Sequence, residues 1–189
     1  MYAHLAIHGI YRPDDLRNSR LILAGVGKPV EGYCILLGEV LDGIMDLSGI
    51  RLLVLSACQT SVIDIQEIPN EAVGFASAFL QSGVVGVIAS LWQTDDWATY
   101  LLMTHFAELY LGSHGELSPT QALVMAQRWL REEATYQAIV EANPLQLSTS
   151  TDDRTRRRLK KFQKQAEETP DGLPFAHPRY WAAFIVMGY

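Results

Sequence analysis

Six runs of the chain are strand-like, and several of them are apolar on both alternating faces: "AHLAI" (3–7), "RLILA" (20–24), "YCILL" (33–37), "RLLVLSA" (51–57), "VVGVIAS" (84–90) and "WAAFIVM" (181–187). A strand with one wet face alternates apolar and polar residues, whereas a strand covered on both faces does not. These runs therefore predict strands buried between two layers. Between them the apolar period lengthens to that of helices, and the helix ends are readable. One helix starts near Asn70 with Glu71 in its first turn and stops at Gly83; a second starts at Asp95 or Asp96 and stops at Gly112. A third takes Ser118 as N-cap and Pro119 as its first residue, with Ala122, Leu123, Ala126, Trp129 and Leu130 on one face.

Strand and helix in alternation predict an α/β fold, a three-layer sandwich around a mostly parallel sheet. Residues 143–176 interrupt the pattern, being polar, charged and bounded by Pro and Gly. They read as an insertion before the last strand, partly helical and partly mobile, within one domain over 1–189. The basic run "RTRRRLKK" (154–161) lies between acidic neighbours and reads as a solvated helix or loop.

Composition narrows the chemistry. A hydrophobic content of 49% over 189 residues is enough for one substantial core. The net charge of −6 disfavours nucleic acid as a partner, because neutralising phosphates needs a basic surface. No apolar run reaches the roughly 18 residues of a membrane span, and the first residues lack the pattern of a signal peptide, so the expected location is the cytoplasm. Cys34 and Cys58, without a CxxC spacing, fit free thiols better than a disulfide framework or a zinc site.

Two expected strands end in reactive residues. "HLAIHG" ends in His8 and Gly9, and "LVLSAC" ends in Ala57 and Cys58. In open α/β sheets the crevice lies beyond the carboxyl ends of the strands. A thiol becomes nucleophilic there when an imidazole can take its proton, so His8 and Cys58 on adjacent strand ends would form a dyad. The N–H groups of Gly9 and Cys58 are suited to an oxyanion hole. A lone cysteine after an apolar strand is usually core, and His4, on the same face of the expected strand, competes for the role of base. The strand-end position beside Gly9 favours His8. Cys34 reads as core, and His105, His114 and His177 as structural or solvent-facing.

Taken together, "HLAIHG", "LVLSACQT", "GFASAFLQSGVVGVIASLWQTDD", "SPTQALVMAQRWLR" and "HPRYWAAFIVMGY" resemble, in order, the CHAT domain, a caspase-like module. The resemblance implies a caspase-like sheet and a cysteine peptidase that hydrolyses peptide bonds through an acyl-enzyme, with His8 as base and Cys58 as nucleophile. It implies no metal or organic cofactor and a protein or peptide substrate. The "LWQTDD" stretch resembles the border of the primary specificity pocket, where Asp95 or Asp96 would attract a basic side chain; the rival reading is that these acids complement a helix N-terminus.

The chain also departs from the family pattern. Members usually carry strands before the histidine-bearing one, which here begins at the first residues, so the expectation is either a gene that extends upstream or a truncated member whose sheet lacks its first strands; an uncovered edge would then be open to a partner chain or to self-association. After Cys58 stands "SVIDIQEIPNE" where members often carry glycines, which is expected to reshape the site. These departures keep open a second reading, a catalytically silent CHAT-like interaction or regulatory module. A third, an unrelated cysteine enzyme or nucleotide binder on an α/β sheet, is disfavoured: "CQTSVID" lacks the arginine of a phosphatase loop and "GVGKPVEG" matches no phosphate-loop spacing.

Overall fold

The structure, a computed structural model, describes residues 1–10, 12, 14–23, 34–56, 68–142 and 153–189. A four-stranded sheet runs through its centre, formed by β1 (Tyr2–Leu5), β5 (Leu52–Leu55), β6 (Gly86–Ser90) and β7 (Phe184–Gly188) in that spatial order. The first three strands are parallel and β7 is antiparallel to β6. A second, antiparallel sheet of three short strands has the order β2 (His8–Ile10), β3 (Arg20–Ile22), β4 (Cys34–Leu36).

The two-faced apolar pattern has the expected cause. All four residues of β5 are buried, with Leu52 and Val54 in one core and Leu53 and Leu55 in the other. Ile88 of β6 joins the first core, while Val87 and Ala89 join the second. The first core is completed by α3 (Asp96–Gly112), α4 (Pro119–Glu132) and α5 (Tyr136–Ala142) through Leu102, Phe106, Leu130 and Ile139. The second is completed by α1 (Leu37–Leu41) and α2 (Ile68–Gln81) through Val40, Phe75 and Phe79. The result is the expected three-layer α/β sandwich with a mostly parallel sheet.

Local chemistry sets the helix ends. The Asp95 carboxylate accepts hydrogen bonds from the N–H groups of Trp97 (3.0 Å) and Ala98 (3.1 Å) and so starts α3. Ser118 and Gln121 form a capping box ahead of α4, with Pro119 at its first position. The helix expected from Asn70 begins two residues earlier, at Ile68. Two helices were not anticipated. In the "YCILL" run the Glu39 carboxylate accepts from the Leu36 N–H at 3.1 Å, and the chain turns into α1 after only three strand residues. Thr135 Oγ1 accepts from the Ala138 N–H at 3.2 Å in the first turn of α5.

Within 143–176, residues 143–152 lie outside the described ones, and the basic run lies in α6 (Asp153–Glu168). Its Leu159 is buried, and Phe162 meets the rings of Tyr136 and Phe175 at 4.7 and 6.2 Å. Lys160, Lys161 and Lys164 remain in solvent. Among the described residues no helix is long and apolar enough to cross a membrane.

The first strand corrects the sequence reading. It ends at Leu5 instead of running to Ile7, and His8 opens β2 in the other sheet, opposite Ile22. Ala6 and Ile7 carry the chain from one sheet to the other, so His4 and His8 are not on one face of one strand.

At the far edge Gly188 has φ +79°, and a Cβ there would stand 2.4 Å from the Val85 carbonyl oxygen and 2.9 Å from Leu80 Cδ2. We expect Gly188→Ala to cost about 2 kcal/mol, from left-handed strain and displaced backbone. That corresponds to a fall in Tm of roughly 4–8 °C, and an unchanged melting curve would contradict this account.

Candidate functional site

Parallel pairing of β1 with β5 sets His4 opposite Val54 and Leu5 opposite Leu55. One residue further on, the Ser56 N–H donates to the Leu5 carbonyl at 3.1 Å, so the carboxyl ends of the two strands are fastened together. Both expected catalytic residues leave from this point. His8 follows Leu5 by three residues, and Cys58 follows Ser56 by two. The backbone of His8 is held in β2 opposite Ile22, next to Gly9, which is buried opposite Leu21. The side chain of His8 and the whole of 57–67, with Cys58, lie outside the described residues. The oxyanion-hole expectation for Gly9 and Cys58 falls partly there too.

His4, the competing base, makes a contact that the sequence did not disclose. Its Nε2 lies 2.7 Å from Ser56 Oγ. Strand alternation explains the meeting: Tyr2 and His4 share a face of β1, Val54 and Ser56 share the same face across the ladder, and all four look toward α3. Partial desolvation lowers the proton affinity of the imidazole below the ordinary histidine value. One hydrogen bond joins them in either tautomer: the Ser56 hydroxyl donates to a bare Nε2, or Nε2–H donates to the hydroxyl oxygen. The register would have revealed this pair, but register is a tertiary fact.

A cavity of about 820 Å³ opens between these strand ends and α3. His4, Ala6, Ile7 and Ser56 line one wall, and Asp96, Thr99, Tyr100 and Met103 line the facing wall. The two candidate acids therefore separate. Asp95 is the N-cap of α3, as the rival reading had it, whereas Asp96 faces the cavity. The loop before them is firmly held: the Leu91 N–H donates to the Ala183 carbonyl at 2.8 Å, Trp92 Nε1 donates to the Arg179 carbonyl at 3.1 Å, and the buried Thr94 and Thr99 hydroxyls meet at 2.6 Å.

The remaining candidates are accounted for locally. Cys34 is a half-buried free thiol on β4, opposite Ile22. His105 stacks on Trp129 with ring centroids 4.2 Å apart, and His177 Nδ1 accepts from the Arg179 N–H at 3.2 Å. His114, at φ +50°, forms part of the turn after α3. Among the described residues no three His, Cys, Asp or Glu side chains converge as a metal site.

In comparison with known proteins, the family model of the CHAT domain matches residues 2–189. Neither the curated proteins nor the solved structures yielded a match.

The depressed His4 has a pH consequence with a definite sign. Unfolding restores its ordinary proton affinity, so the unfolded chain binds more protons as pH falls. The stability linked to neutral His4 is complete above about pH 6.5 and is lost as pH falls through the folded-state value. We expect His4→Gln to flatten the fall in urea midpoint between about pH 7.5 and about pH 5.5. An identical slope in the variant would remove His4 from the account.

Proposed function

Because the chain belongs to the CHAT domain family, we propose that it is a caspase-like cysteine endopeptidase with Cys58 as nucleophile and His8 as general base. The observation that carries the proposal is the hydrogen bond between Leu5 and Ser56: the two residues leave the sheet within three positions of one fastened point. A reducing, cytoplasmic setting suits a reaction that depends on a free thiol.

In the proposed reaction His8 takes the Cys58 proton, and the thiolate sulfur attacks the carbonyl carbon of a peptide bond. The tetrahedral oxyanion is met by the N–H groups of Gly9 and Cys58. The imidazolium passes its proton to the leaving amine, leaving a thioester. Water then attacks the thioester as His8 accepts its proton, and the carboxylic product leaves while the thiol is restored. In this reading Asp96, on the cavity wall, draws a Lys or Arg side chain of the substrate toward the strand ends.

The test is the pH dependence of iodoacetamide labelling at Cys58, with Cys34 as internal control and His8→Ala alongside. A dyad thiolate labels well below the roughly 8.5 of a free thiol and loses that property in the variant, while Cys34 is unaffected. A Cys58 indifferent to His8 would instead favour the silent interaction module. For substrate choice, we expect Asp96→Asn to lower kcat/KM on peptides with a basic residue before the scissile bond by about tenfold or more. Asp95→Asn, which keeps a capping oxygen, should leave that preference intact, and equal effects of the two variants would refute the assignment.

A further inference from the structure

Helix α6 is the positive pole of an acidic chain. It carries seven Lys or Arg against three Asp or Glu, a net +4, which leaves −10 for the rest of a chain whose net charge is −6. Its apolar face is spent on the fold: Leu159 is buried, and Phe162 meets the rings of Tyr136, Phe175 and, at 6.5 Å, Trp97. With about 100° of turn per residue, the opposite face brings together Arg157, Lys160, Lys161 and Lys164, all four exposed. The stripe they form is about 10 Å long. Among the described residues one of the four has an acidic partner, Lys164, whose Nζ lies 3.5 Å from Glu168.

Nothing in the helix itself calls for this arrangement. Arg157 neighbours Lys160 and Lys161, and Lys164 neighbours the same two, at spacings of three or four residues where like charges repel. The order along the axis is also the reverse of what the helix dipole favours, with Arg154, Arg156, Arg157 and Arg158 in the first six positions and Glu167 and Glu168 in the last two. A bound polyanion would relieve both. The setting of the stripe selects which kind. A long nucleic acid would run past the ends of the stripe onto an acidic molecule and be repelled there. A membrane-bound helix needs a free apolar face, and that of α6 is already covered. A protein segment with a few clustered carboxylates ends within the stripe.

We propose that this stripe of α6 docks a short acidic segment of a partner protein, whose Asp or Glu side chains are set against Arg157, Lys160 and Lys161. Complementary charge at an exposed stripe speeds encounter and selects the partner, so the interaction forms quickly and is sensitive to salt. No residue of α6 lines the cavity at the strand ends, and the surface therefore stands whether or not Cys58 is a nucleophile.

The probe is the capped, fluorescent hexapeptide Glu-Glu-Asp-Glu-Asp-Glu, titrated by anisotropy against the full 189-residue chain carrying Cys58→Ala, so that binding is read without cleavage. Expected is saturable binding that weakens about fivefold or more when the protein carries Lys160→Gln with Lys161→Gln, and that weakens with added salt. Arg12→Gln with Arg51→Gln removes the same charge at exposed sites outside α6 and should shift the affinity by no more than about twofold. Both lysines are exposed and repel their neighbours, so their replacement should leave the melting curve unchanged or raise it, which separates lost docking from lost fold. Equal losses in the two double variants, or no saturation up to about 1 mM, would overturn the proposal. Tighter binding of a thymidine hexanucleotide, or capture on vesicles of equal parts phosphatidylcholine and phosphatidylserine that excess peptide does not reverse, would make the partner a nucleic acid or a membrane and overturn it too. A salt-sensitive dimer of the protein alone, lost in the lysine variant, would make a second copy the occupant and likewise overturn the assignment to a partner.

Discussion

The parallel ladder between β1 and β5 is the constraint from which the site follows. A parallel pair has side chains of both strands on shared faces, so fixing Leu5 against Leu55 also fixes what stands on each side of the sheet. Leu53 and Leu55 are committed to the core with α1 and α2, and Leu52 and Val54 to the core with α3 and α4. A slip by one residue would reverse all four. The same register brings His4 to Ser56 and brings the two chain segments of the candidate dyad out at one place. The point from which those two segments depart is thus held by the burial of leucines and valines.

Much of this architecture was legible because the signals are local. A run apolar on both faces has few homes other than a covered strand, and β5 and β6 were recovered with small errors at their ends. Asp95 and Ser118 announce helix starts because a side-chain oxygen must satisfy N–H groups only two or three residues away. The failures have a physical pattern too. "AHLAIHG" continues the apolar alternation past Leu5, and nothing in Ala6 or Ile7 says that the chain changes sheets there. The change is imposed by β3, which pairs with His8–Ile10 from ten or more residues downstream. In "YCILL" the residue that ends the strand is Glu39, outside the run.

The site shows the same division. That a histidine and a cysteine stand near strand ends can be read from the order of residues. The choice between Asp95 and Asp96 cannot, because adjacent acids before a helix are equivalent in sequence. Geometry separates them, with Asp95 turned back onto the backbone of α3 and Asp96 left facing the cavity. The bond between His4 and Ser56 joins residues 52 apart and needs the ladder before it exists.

The loop that leads into α3 carries a temporal consequence. Its indole bond reaches a carbonyl 87 residues later, and its first N–H is satisfied by Ala183, just ahead of β7. As the chain leaves the ribosome, β1, β5, β6 and α3 all emerge before the residues that pin this wall of the cavity. Contacts so distant in sequence are among the last to be secured during folding. The wall is therefore secured only after residues 179–183 have emerged: a nascent chain contains His8 and Cys58 long before it holds the frame around this cavity.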